Sequence, residues 1–297
     1  MAKEKYTNWF KGLQDNICAA LENADGKAKF EEDLWERPGG GGGRTRIMRN
    51  GQVIEKGGVN FSSVFGRTPQ ALQDKMGFPP SDFYATGVSI VLHPANPMVP
   101  IIHMNVRYFE LSTGTAWFGG GIDLTPIYIV PQQAQFFHEQ LKQVCDQHHT
   151  DYYTEFKQWA DNYFYIPHRN ETRGVGGIFF DRLQATDDIS LEDRFAFVQS
   201  VGNAFAPIYT YLIGENRNKS FDEKHKEWQR VRRGRYVEFN LVYDKGTKFG
   251  LETSGRIESI LMSLPAHASW VYNYQAQPGS EEEKTMNLLK KDIDWVQ

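Results

Sequence analysis

Two neighbouring segments of the sequence alternate between apolar and polar residues, and this constrains the fold more than any other feature. A period of two predicts β-strands that bury one face. The first strand is predicted from Thr86 to about His93, and the second from Ile101 to about Leu111. Their apolar faces, which we expect to lie in the core, consist of Val88, Ile90, Leu92, Ile102, Met104, Val106 and Tyr108.

The opposite faces of these two strands carry a particular set of polar groups. The residues on them are Ser89, Val91 and His93 in the first strand, and His103, Asn105 and Arg107 in the second. A face that only meets water would more often carry Lys, Glu and Thr. We therefore expect this face to line a polar cleft, and a solvated face is the alternative.

The rest of the chain predicts helices that are grouped apart from the strands, which is typical of an α+β protein. The predicted helices cover residues 5–24, 131–148, 151–165, 190–213, 221–233 and a last segment from 280. Further strands are predicted as two short ones around the glycines within 115–128, and at 236–243 with a hairpin to 249–251. Since no repeat or long linker interrupts the sequence, residues 1–297 are expected to form a single domain.

Composition and charge restrict the class of function. The formal net charge of −4 argues against a general nucleic-acid binder, and the basic run at 224–235 is most often a solvated helix face. Cys18 and Cys145 both fall in predicted helices, which favours a reducing compartment over a disulfide framework. No apolar run approaches the roughly 20 residues that span a bilayer, and the start lacks the apolar region of a signal peptide. The expected location is the cytoplasm.

Five consecutive glycines, Gly39 to Gly43, stand beside the cationic residues Arg37, Arg44 and Arg46. No Gly-Lys-Ser/Thr follows the glycines, so they do not form a nucleotide P-loop. The segment is expected to be a mobile surface loop. The alternative is a basic flap that closes on an anionic ligand.

The stretch from Lys157 to Asp181, KQWADNYFYIPHRNETRGVGGIFFD, combines aromatic, charged and glycine residues more densely than any other. Asp181 ends a short apolar strand, where a carboxylate is costly to bury unless a cation or N–H group meets it. Asp181 is therefore a candidate ligand-binding residue. Equally open is a structural ion pair with one of three neighbours, which are Arg169, Arg173 and Arg182.

The residue pattern by itself thus predicts one site rich in Arg and His, with aromatic surroundings. Its members are His93, His103, Asn105, Arg107, His168, Arg169, Asp181 and Arg256. Arginine pairs bidentately with carboxylates and aromatic rings cover apolar rings, so the site suits a large, flat, multiply anionic molecule. No Cys cluster for an iron–sulfur centre and no GxSxG motif is present.

The same stretch resembles the signature of the oxygen-dependent coproporphyrinogen III oxidases. It contains Lys-x-Trp, an aromatic triplet, His-Arg-x-Glu-x-Arg-Gly, Gly-Gly and Phe-Phe-Asp in that order. Two positions depart from the family pattern, Ala160 where Cys is usual and Arg182 where a second acidic residue is common. Further blocks of the chain look similar to the family, namely RPGGGGG, SIVLHPANP, WFGGGIDLTP, RRGRYVEFNLVYD and GRIESILMSLP.

The resemblance implies a large, mostly antiparallel sheet covered by helices on both faces, assembled as a homodimer, with the contact expected around 236–270. It also implies oxidation of two propionates of coproporphyrinogen III to vinyl groups by O2, giving protoporphyrinogen IX, CO2 and H2O2 without an organic cofactor. By the resemblance, His103 would donate a proton. Because the four pyrrole N–H groups of such a substrate can converge on one carboxylate, Asp181 is our candidate for the group that anchors them. The implied substrate contacts are Ser89, Asn105, Val106, Arg107, Ser254, Gly255 and Arg256, to which the residue pattern adds Arg169.

The resemblance to bacterial members also suggests a metal site, with Mn as one candidate, formed by His93, His103, His138 and His168. The alternative is that no metal is needed, since other members look cofactor-independent and the electron-rich substrate can itself react with O2. From its position at the edge of an apolar helix stripe, His138 is alternatively a packing residue. Two other functions are open. One is a tetrapyrrole carrier without catalysis, and the other is a metal-dependent oxygenase that acts on a different substrate.

Overall fold

The computed structural model describes residues 2–70, 73, 77, 79–252 and 255–296, and is built around a seven-stranded antiparallel sheet. The strands are β1 (Glu31–Glu36), β2 (Gly41–Arg49), β3 (Ile54–Arg67), β4 (Asp82–Pro94), β5 (Ile101–Leu111), β6 (Ala116–Thr125) and β9 (Gly176–Leu183). They lie side by side in the order β1-β2-β3-β4-β5-β6-β9. A separate pair consists of β7 (Tyr165–Ile166) and β8 (Glu171–Thr172).

Helices surround the sheet, so the predicted α+β class is confirmed. Their bounds are α1 (Ala2–Asp25), α2 (Pro131–Asp146), α3 (Tyr152–Tyr163), α4 (Leu191–Asn216), α5 (Glu223–Val242), α6 (Lys245–Glu252), α7 (Ile257–Leu261) and α8 (Glu281–Leu288). None of the helices within the described ranges is both long and apolar enough to span a membrane.

One face of the sheet forms the main core, as the alternating pattern predicts. The apolar residues predicted to face the core are all buried there, namely Val88, Ile90, Leu92, Ile102, Met104, Val106 and Tyr108. They pack in one cluster with apolar residues of α1, α2 and α4, such as Phe10, Phe137 and Phe205. This side gives the protein its largest apolar contact, so it fixes which way every residue of β4 and β5 points.

The other face of the sheet is covered in part by α5 and by the chain around α7. Val91 and Ile101 pack against Trp228 and Tyr236 of α5 in a second, smaller cluster. Near α7, Lys56 Nζ donates to the carbonyl of Leu264 at 2.7 Å. Polar side chains at the centre of this face therefore lie between two coverings, where a cleft can open.

The segment 236–251 differs from its prediction, because it is helical and contains no hairpin. Asp222 caps α5 through a hydrogen bond from the His225 backbone N–H, and the helix continues to Val242. Its buried residues Tyr236, Phe239 and Asn240 are spaced as i, i+3 and i+4, which is helical spacing. The apolar alternation that predicted a strand does not coincide with the buried face of this helix. Other apolar side chains of the helix therefore lie on its exposed side.

Two glycine-rich segments are strands rather than loops. Gly41 to Gly43 begin β2, and an added Cβ at Gly42 would overlap the carbonyl of Trp35 on β1. The glycines therefore allow close strand contact, and the predicted mobile loop is wrong for Gly41–Gly43. Likewise, Gly119 to Gly121 lie inside the single strand β6 and do not separate two short ones.

Candidate active site

The polar face predicted for β4 and β5 lies opposite the main core and continues onto β6 and β9. Ser89 pairs with Asn105, which pairs with Gly121, and in the next row Gly87, Arg107 and Gly119 are partners. Residues paired in this way point to the same side of the sheet. The glycines leave the floor of the face open around Ser89, Asn105 and Arg107.

An ion pair crosses this floor between β5 and β9. Arg107 Nη2 donates to Asp181 Oδ1 at 2.9 Å, and Arg107 Nη1 donates to Asn105 Oδ1 at 2.8 Å. The two side chains of the pair are 35% and 28% exposed, so both remain accessible from the cleft. Asp181 is ion-paired, as the alternative predicted, but with Arg107, which was not among the three arginines considered.

The backbone beside Asp181 explains how this carboxylate reaches the cleft. The pairing of β6 with β9 shifts between Phe118 and Gly120, and Arg182 has a φ of 53°. Such an irregularity redirects neighbouring side chains, and left-handed backbone at a non-glycine residue is strained. Gly119 is needed opposite it, because a Cβ there would overlap Asp181 Oδ1 and lie 3.0 Å from Arg107 Nη2.

His103 lies on the same face of β5, two residues before Asn105, and contacts a buried carboxylate. Its Nδ1 is 2.7 Å from Asp123 Oδ1, and Asp123 is its cross-strand partner on β6. Arg173 Nη2 in turn donates to both oxygens of Asp123, at 2.8 Å and 2.7 Å. The His103 side chain is 20% exposed, whereas those of Asp123 and Arg173 are each 2% exposed.

The charges and hydrogen bonds around Asp123 determine its protonation state. Burial opposes ionisation, but the Arg173 charge and the His103 hydrogen bond outweigh it and lower the pKa of Asp123. An ionised Asp123 accepts a hydrogen bond from His103 Nδ1–H. The other ring nitrogen, Nε2, has no hydrogen-bond partner in the part of the chain that the structure describes. It can therefore exchange a proton with a ligand in the cleft.

Aromatic side chains form the wall of the cleft along β9. Phe179, the cross-strand partner of Gly121, stacks on Tyr163 of α3 with ring centroids 4.2 Å apart. Trp159 also contacts Phe179 and is 41% exposed. These rings provide a flat apolar surface beside the Arg107–Asp181 pair.

The α7 region lies on the same face at the β1–β3 end of the sheet. Arg256 Nη1 is 3.1 Å from Ser259 Oγ, and Arg256 forms an ion pair with Asp33 of β1. Asn60 Nδ2 donates to the carbonyl of Ser259 at 2.9 Å, which joins α7 to β3. Gly255 precedes Arg256 here, and Ser254 lies outside the described residues.

Val106 does not face the cleft, although the resemblance implies that it contacts substrate. Its side chain is fully buried in the main core, on the opposite side of β5 from Asn105 and Arg107. The alternation of side chains along a strand requires this. Val106 is related to the site only by its position in the strand, between the cleft residues Asn105 and Arg107.

Arg169 and His168 bind to α5 rather than to the cleft pair. Arg169 donates to both oxygens of Glu238, at 2.8 Å and 2.6 Å, and His168 Nε2 lies 2.7 Å from Glu238 Oε2. Burial alone would raise the pKa of Glu238, but the Arg169 and His168 hydrogen bonds lower it to about 2. Trp270 Nε1 also donates to Glu238, at 3.0 Å.

The four histidines predicted as metal ligands do not fit a common metal site. His93 Nε2 is 2.8 Å from the carbonyl of Ser263, and His138 contacts the Tyr153 hydroxyl at 3.0 Å and the Val175 carbonyl at 2.9 Å. His103 and His168 bind carboxylates on different elements, β6 and α5. Within the described ranges, no three His, Cys, Asp or Glu residues are arranged to hold a metal ion.

Burial explains the chemistry of two of these histidines. It lowers the pKa of His93 to about 3 and that of His138 to about 4. His138 is fully buried, packs edge-on against Phe137 and has both nitrogens hydrogen-bonded, as expected of a packing residue.

The sequence reasoning missed Asp123 and underestimated Arg173. Asp123 stands in the block WFGGGIDLTP among apolar residues and glycines, so it resembles a turn residue. Reading Gly119 to Thr125 as one strand would have placed Asp123 on the His103 face. Tyr163 was also not assigned a role, although its hydroxyl donates to Asp244 at 2.8 Å and its ring stacks on Phe179.

Comparison with known proteins identifies the family of the chain. A family model described as coproporphyrinogen III oxidase matches residues 5–295. The chain therefore belongs to the coproporphyrinogen III oxidase family, as the sequence resemblance predicts. The oxygen-dependent coproporphyrinogen-III oxidase, chloroplastic, of Glycine max is 46% identical over 309 residues, which cover 99% of this chain and 80% of that protein.

Proposed function

We propose that the protein catalyses the oxygen-dependent oxidative decarboxylation of coproporphyrinogen III to protoporphyrinogen IX, a step of haem biosynthesis. The observation that carries this proposal is the arrangement of the Arg107–Asp181 pair and the Asp123-bound His103 on one open face of the sheet. It combines an anion-binding cation, a carboxylate for N–H groups and a proton donor, in a chain that belongs to this family.

The stoichiometry of the reaction states what the site must supply. Each propionate loses its carboxylate as CO2 and a hydride equivalent from the carbon next to the pyrrole ring, leaving a vinyl group. O2 accepts the two electrons and becomes H2O2, which requires one further proton for each propionate. The protein must therefore bind carboxylates, hold the macrocycle and donate a proton.

Arg107 and Asp181 are proposed to bind the substrate. The guanidinium of Arg107 pairs with a propionate, and the Asp181 carboxylate accepts hydrogen bonds from the converging pyrrole N–H groups. Ser89 and Asn105 add hydrogen-bonding groups in the neighbouring row. The Phe179 and Tyr163 rings pack against the macrocycle.

Arg256 is proposed to bind a second propionate at the other end of the face, together with Gly255 and Ser254. It is held near β2 by Ser259, which also lies 3.0 Å from Thr45 Oγ1. Its pairing with the half-exposed Asp33 resembles that of Arg107 with Asp181. In each case an arginine on the cleft face already has a carboxylate beside it.

His103 is proposed to donate the proton that completes H2O2. Its Nδ1 is held by Asp123, so Nε2 is the nitrogen that faces the cleft and changes its protonation. Oriented imidazoles of this type transfer protons without moving. The roles of His103 and Asp181 thus separate proton donation from substrate anchoring.

An aerobic assay of purified protein with coproporphyrinogen III tests the proposal. Products are oxidised to porphyrins and separated by chromatography, and CO2 and H2O2 are measured in parallel. Protoporphyrin formed with two CO2 and two H2O2 for each substrate is the expected result. Binding of the tetrapyrrole without CO2 release would contradict the proposal and indicate a tetrapyrrole carrier. Oxidation of another substrate instead would indicate a different oxygenase.

We also propose that the protein is a homodimer that uses the exposed apolar side chains beside Glu238. Leu241 and Val242 are exposed at the end of α5, and Trp270, Val271 and Tyr272 are exposed on the segment that binds Glu238. Large exposed apolar groups often mark protein interfaces. Sedimentation of Trp270→Ser should show monomer, whereas Leu34→Ser on β1 should remain dimeric; a monomeric wild type contradicts the proposal.

A cytoplasmic location is proposed as well. Cys18 and Cys145 are both free and buried, and burial raises the pKa of each thiol. Neither therefore needs an oxidising compartment. Fractionation of cells that express the full-length gene, with an antibody against the protein, tests this location directly, and recovery in an organelle would contradict it.

A further inference from the structure

Arg173 is a fully enclosed cation beside the proposed active site. It follows β8 in the chain, and its Nη2 contacts both oxygens of Asp123 while Nη1 donates to Asn240 Oδ1 at 2.8 Å. Its side chain is 2% exposed. Arg173 therefore cannot touch a substrate in the cleft. It is linked to His103 through a single residue, Asp123.

Three aromatic rings surround the guanidinium of Arg173. Its central carbon is 4.4 Å from the ring centroid of Phe164, 4.6 Å from that of Tyr236 and 4.7 Å from that of Phe239. A cation held against ring faces is attracted to them, and more strongly away from water. Together with Asn240, the rings restrict the guanidinium to one position, with its Nη2 directed at Asp123.

This restricted position determines how Asp123 meets His103. A carboxylate bound at both oxygens by one Nη2 atom is fixed in its rotation, and one of these oxygens, Oδ1, also contacts His103 Nδ1. A buried carboxylate without a cation would take up a proton or turn toward another donor. His103 would then lose the acceptor that holds its Nδ1–H and could adopt the opposite tautomer.

We propose that Arg173 is a positioning residue that holds Asp123 so that His103 keeps its proton on Nδ1 and presents Nε2 to the substrate. The inference rests on the proposed function for the role of His103. Its structural part, the tautomer of a folded protein, stands independently of turnover. A purely structural Arg173 would instead join β8, β6 and α5 without any effect on the imidazole.

The test compares Arg173→Met and Arg173→Lys with a matched control, Arg232→Met. Arg232 is an equally buried arginine of α5 that binds Glu171 at 2.7 Å and packs over Trp228, with no bond to Asp123. Folding is monitored by circular dichroism. The His103 tautomer is read from ¹⁵N NMR of histidine-labelled protein, assigned with His103→Gln, at a pH where the ring is neutral.

In the wild type we expect the His103 ring to carry its proton on Nδ1. Arg173→Met should give a mixture of tautomers and a kcat at least about tenfold lower, with KM nearly unchanged because Arg173 does not bind substrate. Arg173→Lys keeps the charge without the two-oxygen contact and should be intermediate. Arg232→Met should lose stability but keep the wild-type tautomer and kcat.

An unchanged His103 tautomer in folded Arg173→Met would overturn the inference, as would an equal loss of kcat in Arg232→Met. If Arg173→Met does not fold, Arg173→Lys decides, since wild-type tautomer and kcat in that variant would show that the fixed contact is not needed. If the wild type makes no protoporphyrin, the proposed function fails, and the tautomer comparison still tests the role of Arg173.

Discussion

Arg107 Nη2 lies 2.9 Å from Asp181 Oδ1, so the carboxylate proposed to anchor the substrate is paired with a cation across the cleft floor. Both side chains are partly exposed, and the Coulombic attraction between them is weakened by water. A substrate that offers a carboxylate to Arg107 and N–H groups to Asp181 can replace this pair with two stronger ones. The pair thus keeps both groups in place without a large cost for opening it.

Asp181→Asn should remove the anchor with little effect on folding. Asparagine is nearly isosteric but neutral, and its NH2 group would repel the pyrrole N–H donors. We expect kcat to fall by about 100-fold or more, in the range typical of lost charge stabilisation. The free energy of unfolding should change by less than about 1 kcal/mol, as for other exposed ion pairs.

Asp82→Asn is the matched control for this variant. Asp82 also forms a cross-strand pair, with Arg67 at 3.4 Å, but at the exposed end of β3 and β4. Steady-state kinetics and urea unfolding of both variants check the prediction. Near-normal turnover in Asp181→Asn would remove Asp181 from the site, and an equal loss in Asp82→Asn would show that the effect is not local.

Gly119→Ala should damage the site through a single methyl group. The added Cβ would overlap Asp181 Oδ1 and crowd Arg107 Nη2, so the ion pair must move away from the sheet. We expect KM to rise and kcat to fall. Gly214→Ala in α4 is the control, since nothing lies within 4 Å of its Cβ, and it should gain about 0.5–1 kcal/mol of stability without a change in activity. Unaltered kinetics in Gly119→Ala would show that the floor tolerates side chains.

The cleft face could be predicted from the sequence because β4 and β5 alternate between strongly apolar and strongly polar residues. A shift of either strand by one residue would have exposed Ile90 or Ile102. The pattern therefore permits only one choice of which face of each strand is buried. The partner of Asp181 could not be predicted in the same way. Arg107 is 74 residues away, and the pairing depends on the position of β9 beside β6, which local periodicity does not contain.

The strand prediction for 236–243 shows where local patterns mislead. The sequence YVEFNLVY fits a period of two as well as helical spacing, and only the surroundings decide. Tyr236 and Phe239 bury themselves around Arg173, a residue over 60 positions earlier in the chain. Arg173 also binds Asp123. Because these contacts join residues that are far apart in the chain, local sequence patterns could not indicate the proposed role of Asp123.

Metal removal should leave turnover unchanged. The ring nitrogens of His138 are both hydrogen-bonded in the core, and those of His168 are held by Tyr243 and Glu238, so metal binding by these residues would require several contacts to break. Protein treated with EDTA and checked by elemental analysis should form protoporphyrin at the untreated rate. Loss of activity that Mn²⁺ restores would show that a metal acts in the reaction.

Asp25 should stabilise the fold in a pH-dependent way. Its buried carboxylate ends α1 and accepts five backbone N–H bonds, from Lys27, Ala28, Gln52, Val53 and Ile54. Burial opposes ionisation, but these bonds outweigh it and lower the pKa of Asp25 below its usual value. Because the unfolded carboxyl binds its proton more readily, this stabilisation is complete above about pH 4 and falls as the pH drops further.

Asp25→Asn places an NH2 group against backbone donors and should cost about 2 kcal/mol or more at pH 7. Urea unfolding from pH 7 down to pH 3 should show the difference in unfolding free energy between this variant and the wild type narrowing below about pH 4, as the unfolded wild-type chain takes up a proton on Asp25 that the folded protein does not bind. Asp187→Asn, at an exposed position, should follow the wild type at every pH. A gap that stays constant with pH would mean that Asp25 stabilises the structure by its shape and not by its charge.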